Sequence, residues 1–181
     1  PIGAITGTGN RNAVARLLAH ILAQDGRHVG LVTRDPAFIN GHATCEPPLT
    51  LPEATRVVLL DPRVDAVVVD ASPKDIIRYG LGADACDVCA IVDDDLAGEP
   101  SAEMIEAIGV LARTARKAVA LRAEQRCALG KATRYPIGSH GEIGTSPPWI
   151  ELERNGHGAA TRIRTHGEKP AGIALPSDFE S

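Results

Sequence analysis

An apolar run, a glycine-bearing loop and an amphipathic run follow one another at the start of the chain. They are Ile2 to Ile5, then Thr6-Gly7-Thr8-Gly9-Asn10-Arg11-Asn12, then Val14, Leu17, Leu18, Ile21 and Leu22. The first run suits a buried strand; the last repeats at three- and four-residue intervals, which is one face of a helix. A strand that passes through glycines into a helix begins a βα unit, which buries its strand only when a further strand is laid parallel beside it. The setting is also that of a phosphate-binding loop. A working loop of that kind needs a lysine to reach the β/γ-phosphates and a following Ser or Thr to hold Mg²⁺. Arg11 and Asn12 stand in those places.

The pattern continues along the chain. The first helix is predicted from Asn12 to Gln24, ended by Gly26. Val29 to Thr33 is a second strand, and residues 34–50, rich in Pro, Gly, Asn and His, read as an irregular loop. Glu53 to Leu60 is a short helix closed by Asp61-Pro62, and Val64 to Val69 is a β-branched run of the kind covered on both faces. Ile76 to Tyr79 is a turn or short helix, Val88 to Val92 a strand, Ser101 to Ala112 a helix with Ser101 as N-cap, and Ala118 to Leu121 a strand. This alternation predicts an α/β fold: a mostly parallel sheet with helices on both faces. Trp149 to Glu153 and Ala160 to Thr165 then alternate about the turn cluster Asn155-Gly156-His157-Gly158. They predict a C-terminal β-hairpin on the sheet edge, anchored by Trp149. The expected organisation is one domain over residues 1–168 and a tail or linker over 169–181.

Composition narrows the function. A chain of 181 residues buries about 70% of its unfolded surface, and with 3% aromatics its core must be Ala, Val, Ile and Leu. A net charge of −4 without a basic stripe argues against nucleic acid and anionic membrane as partners. No secretory leader and no run of spanning length is visible, so the cytoplasm is the expected compartment. Cys86-Asp87-Val88-Cys89 has metal or redox spacing, but no second pair or His completes a zinc site, and these cysteines read as small buried residues on a strand. Pro1 directly precedes the first strand, as expected of a segment of a longer chain.

Several stretches in one order carry a family resemblance: Pro1 to Thr8, Arg16 to Leu22, Phe38-Ile39-Asn40-Gly41, Asp61 to Val68, Arg78-Tyr79-Gly80-Leu81-Gly82, and Cys86-Asp87-Val88. Over about residues 1–165 the chain resembles the central ATP-binding domain of Mur ligases, and most closely the Mur-ligase-like part of the cyanophycin synthetase family. The resemblance implies a P-loop-like α/β domain that binds ATP and Mg²⁺. It also implies a reaction in which a carboxylate is activated as an acyl phosphate and attacked by an amine to form an amide. In that family the polymer is aspartate carrying arginine, and a separate ATP-grasp domain of the same chain is the implied partner, with a homo-oligomer as the implied assembly. In a shorter second class, the Mur-like part is reduced and not used for ATP chemistry.

The present chain departs from the pattern at each element of the family's site. The family's loop reads Thr-Gly-Thr-Asn-Gly-Lys-Thr; here Gly9-Asn10 replaces Asn-Gly, Arg11 the Lys, and Asn12 the Thr. The vestigial phosphate loop is therefore Thr6, Gly7, Thr8, Gly9, Asn10, Arg11 and Asn12. At the family's Mg²⁺-binding Glu stands Asp70, followed by Ala71-Ser72-Pro73-Lys74 rather than Ala-Arg-Gly-Gly. Where the family has Asn-Val-Ser-x-Asp-His, Asp93-Asp94-Asp95 follows the strand, leaving Asp70 and Asp94 as vestigial metal candidates. A closing C-terminal domain is also missing from these residues. Phosphoryl transfer depends on metal and lysine to neutralise developing charge. The expectation is accordingly a non-catalytic domain, with no catalytic residues and no cofactor of its own. The alternative is an active amino-acid ligase domain with a divergent loop, using Arg11, Asp70 and Asp94. A dinucleotide site, with Gly7-x-Gly9 and Asp35, is a weaker reading because Asn12 occupies the third glycine position.

Overall fold

The computed structural model describes residues 1–34, 36–45, 49–92, 101–122, 133–137, 149–154, 160–166 and 171–174. Two compact units divide at the end of the main sheet, Pro1–Ile137 and Gly138–Ser181.

In the first unit the strands are β1 (Ile2–Gly7), β2 (Val29–Val32), β3 (Ala37–Ile39), β4 (His42–Cys45), β5 (Ala66–Asp70), β6 (Cys86–Val92), β7 (Ala115–Arg122) and β8 (Thr133–Ile137). The helices are α1 (Arg11–Gln24), α2 (Leu51–Leu60), α3 (Pro73–Tyr79) and α4 (Ala102–Thr114). The sheet order is β4-β3-β2-β5-β1-β6-β7-β8. β2, β5, β1, β6, β7 and β8 run parallel, and β3 and β4 add an antiparallel margin. The predicted α/β class, with its mostly parallel sheet, is the one observed. β1 lies at the centre, with β5 on one side and β6 on the other, so the carboxyl ends of these three strands converge.

Successive strand residues face opposite sides of a sheet, and two apolar clusters follow from this. Ile5, Val68, Val29 and Leu31 pack on one side with Ala15, Val14 and Leu18 of α1. Ala4, Val67, Val69, Ile91 and Val119 pack on the other with Val58 of α2, Ile76 of α3 and Met104 and Leu111 of α4. The β-branched run Val67-Val68-Val69 serves both clusters, so each of its residues is buried. Helices thus cover both faces, and the core is aliphatic, as the low aromatic content requires.

Local chemistry sets the element ends. Ser101 accepts a hydrogen bond from the Met104 N–H at 3.2 Å, the N-cap expected for α4. Ser72 does the same for Asp75 at 3.1 Å, starting α3 three residues ahead of the predicted Ile76. Residues 34–50 hold more order than expected. β3 and β4 form a hairpin about Asn40-Gly41, with φ of 50° and 79°. Those two left-handed residues make the tight turn that matches strand twist.

In the second unit, β9 (Trp149–Arg154) and β10 (Ala160–His166) pair antiparallel, forming the predicted hairpin. Their sheet is completed by β11 (Ala171–Ala174) on the far side of β10, and it is a separate three-stranded sheet rather than an extension of the eight-stranded one. Ala-Gly-Ile-Ala, within the stretch expected as a tail, is the short run that supplies this third strand. The turn cluster 155–158 lies outside the described residues.

Candidate functional site

The site candidates assemble at the carboxyl ends of β1, β5 and β6. In register, Ile5 lies opposite Asp70 and Gly7 opposite Val92. Gly7 has φ of 134°, and a Cβ there would lie 1.6 Å from the Val92 carbonyl oxygen. Glycine is therefore required where the loop leaves β1. Two residues on, the Gly9 N–H donates to that same Val92 carbonyl at 3.1 Å. The loop is thereby strapped to the end of β6.

The next residues open α1. Asn10 is the N-cap, its side-chain oxygen accepting from the Ala13 N–H at 3.2 Å. Arg11 folds back toward the sheet. Its Nε donates to Asp70 Oδ1 at 2.9 Å and its Nη1 to the Gly7 carbonyl at 2.5 Å. The Arg11 side chain is 24% exposed and that of Asp70 6%, so the pair is largely withdrawn from water. Removing Arg11 from such a pair costs about 2–3 kcal/mol, because the more buried Asp70 is left desolvated without its partner. Asn12 points its side-chain oxygen at Arg16 Nε, 2.7 Å away, and the Arg16 guanidinium lies 5.1 Å from the centre of the Phe38 ring.

Among the described site candidates, then, Thr6, Gly7, Thr8, Gly9, Asn10, Arg11, Asn12 and Asp70 come together in one place. Thr6 alternates with Ile5 and Gly7 along β1; it is fully buried, and its hydroxyl has no hydrogen-bond partner among the described residues. Thr8 is exposed. Asp94, the rest of the Asp93–Asp95 run and Asp35 lie outside the described residues. No cluster of three or more His, Cys, Asp or Glu suited to a metal is found among the described residues. Cys86 and Cys89 are both buried in β6, and burial is the main cause that raises the Cys86 thiol pKa, which suits packing rather than reactivity.

Two features escaped the sequence reading. One is the Gly9–Val92 strap, a backbone contact with no side-chain signature. The other is Asp87, which accepts from the Ile2 N–H at 2.8 Å and pairs with Lys117 at 3.1 Å. Those two bonds, with the Ile2 one the larger cause, hold its carboxyl below the usual range and tie the start of β1 to β6 and β7. No helix among the described residues is long and apolar enough to cross a membrane.

A central strand, a glycine loop, a helix and a carboxylate on the neighbouring strand end make up an α/β domain whose fold is Mur-ligase-like. Solved structures bear this out at the level of fold. A UDP-N-acetylmuramoyl-L-alanyl-D-glutamate–2,6-diaminopimelate ligase matches with a TM-score of 0.64 at 16% identity, covering 98% of this chain and 40% of that one. A bifunctional folylpolyglutamate synthase/dihydrofolate synthase, solved with Mn, AMPPNP and L-glutamate bound, matches with a TM-score of 0.53 at 18% identity, covering 94% of this chain and 48% of that one. Over half of its length, the chain is similar in sequence to cyanophycin synthetases. It is 38% identical over 93 residues to that of Synechocystis sp., which is 51% of this chain and 11% of that protein. The cyanophycin synthetases of Trichormus variabilis and Crocosphaera subtropica are 34% and 36% identical over the same length. The match therefore spans about a tenth of the length of these relatives, 10–11%. No protein-family model matches the chain.

Proposed function

We propose that this chain is the Mur-ligase-like domain of a cyanophycin-synthetase-type, ATP-dependent amide ligase, and that the domain itself is non-catalytic. It acts in the cytoplasm as a structural or assembly element of an oligomeric parent enzyme, beside an ATP-grasp domain of the same polypeptide. The similarity to cyanophycin synthetases supports the parent, and the likeness to the short class, whose Mur-like part is reduced, follows from the altered loop.

The observation that carries the non-catalytic reading is the Arg11–Asp70 pair at 2.9 Å. Among the described residues, the arrangement does not suit Mg²⁺ and ATP. The carboxylate expected to hold metal is bonded to the cation expected to hold phosphate. Asn12, in the position of the metal-binding hydroxyl, gives its side-chain oxygen to Arg16. The Gly9 N–H is taken by Val92 and the Ala13 N–H by Asn10. A phosphate loop works by presenting such donors outward; here these are satisfied within the chain.

A thermal-shift comparison tests the reading. Anything that binds only the folded state raises the midpoint by mass action. With ATP and Mg²⁺ at millimolar concentration, the midpoint is expected to stay where it is without them. A saturable rise, together with arginine-dependent ATP turnover abolished by Arg11→Ala, would establish the active-ligase alternative instead.

A further inference from the structure

We propose that the Arg11–Asp70 ion pair is an intramolecular lock on anion binding, in which Asp70 occupies the guanidinium that would otherwise face a polyphosphate. This rests on the non-catalytic reading and goes further, by naming what keeps Arg11 from phosphate and the single change that frees it.

The lock follows from charge and burial. The guanidinium of Arg11 and the carboxylate of Asp70 sum to no net charge, and the loop presents no other charged side chain between Thr6 and Asn12. To take the whole guanidinium fork, an arriving polyanion must break the 2.9 Å bond between Nε and Oδ1. It then sits beside a carboxylate that is 6% exposed and has lost its cation. Competition for Arg11 and repulsion by Asp70 thus act in the same direction. In a metal-dependent site the carboxylate faces phosphate through a divalent cation; here that carboxylate is bonded to a guanidinium.

The substitution Asp70→Asn keeps the shape of the side chain and an oxygen for Arg11 Nε, but removes the negative charge. Arg11 then carries an uncompensated charge and binds phosphate oxygens through its planar fork. The Gly9–Val92 strap and the Asn10 cap do not involve Asp70, so they hold the loop in place when the lock is opened.

The test is calorimetric titration of the chain with inorganic tripolyphosphate in metal-free buffer. Asp70→Asn is expected to bind at least tenfold more tightly than the unaltered chain, and Asp70→Asn/Arg11→Ala to lose that gain. Equal affinity in the unaltered chain and a folded Asp70→Asn, or a gain that survives Arg11→Ala, overturns the lock. Asp70→Ser repeats the test if the Asn variant is insoluble. The unaltered chain supplies an independent check by NMR. The Arg11 Nε–H is expected to exchange with water at least tenfold more slowly than that of exposed Arg34, and equal exchange overturns the proposal. The two readings fail separately. Tight binding of ATP with Mg²⁺ by the unaltered chain removes the non-catalytic reading. No response to tripolyphosphate in either the unaltered chain or Asp70→Asn removes the lock alone.

Discussion

Arg11, at the first position of α1, and Asp70, at the last position of β5, are 59 residues apart in sequence and 2.9 Å apart in space. Each was legible as a site residue, one for phosphate and one for metal, and the structure joins them to each other. The pair is unequal in exposure, 24% for Arg11 against 6% for Asp70. Arg11→Ala strands the more buried partner and is expected to cost about 2–3 kcal/mol, whereas Asp70→Ala leaves a long side chain that can turn to water and costs about 1 kcal/mol. Urea denaturation of the two variants measures the difference; equal losses would show that burial of Asp70 does not set the cost.

Gly7→Ala is expected to be among the most damaging single-methyl changes in the chain. Its Cβ would overlap the Val92 carbonyl at 1.6 Å, and φ of 134° is strained for any side chain. The cost is expected at about 3 kcal/mol or more. Gly26→Ala has φ of 79° with open space around it and should cost about 1 kcal/mol. Thermal denaturation of both variants separates a clash from conformational strain alone.

Asn40→Ala should loosen the β3–β4 hairpin without unfolding the sheet. Asn40 adopts φ of 50°, accepts from the Val29 N–H at 2.9 Å through its side chain, and donates its own N–H to the Val29 carbonyl at 2.9 Å. Loss of the side-chain bond and of the residue's tolerance for positive φ is expected to cost about 1–2 kcal/mol. Hydrogen exchange is the sensitive readout: the Val29 amide should lose protection while amides of β1 and β5 keep theirs.

Acid sensitivity has a defined direction. Asp61 is lowered to about 2, chiefly by the side-chain hydrogen bond from Arg63. Glu53 is lowered by the Thr50 N–H, and Asp87 by the Ile2 N–H. A carboxyl whose folded pKa lies below its unfolded value stabilises the fold above the unfolded value and stops doing so as pH falls through the folded one. Stability should therefore hold from pH 7 to about 5 and fall between about 4 and 2. Urea midpoints across that range measure it, and Asp61→Asn should make the fall shallower.

Much of the fold could be read from periodicity because its strands are buried on both faces and its helices are amphipathic. Val67-Val68-Val69 and the Val14 to Leu22 stripe are of that kind. The misses have particular causes. Asn40-Gly41 is a strong hairpin signal that was submerged in the Pro- and Gly-rich composition of 34–50. Thr50 and Glu53 form a capping box that starts α2 at Leu51, two residues before the apolar pattern becomes regular. β8 contains Pro136, which argues against a central strand but is tolerated at the sheet edge where β8 lies. At the site, residue identities were legible but their pairing was not. Sequence assigns Arg11 and Asp70 to absent ligands, and only the register of β5 against β1 brings them together.

The central claim is that Arg11 and Asp70 of this site are paired with each other and that the loop does not take nucleotide. Calorimetric titration of the chain with ATP in the presence of Mg²⁺ tests it most directly. No heat of binding up to millimolar ATP is the expected result. Saturable, Mg²⁺-dependent binding in the micromolar range would contradict the account.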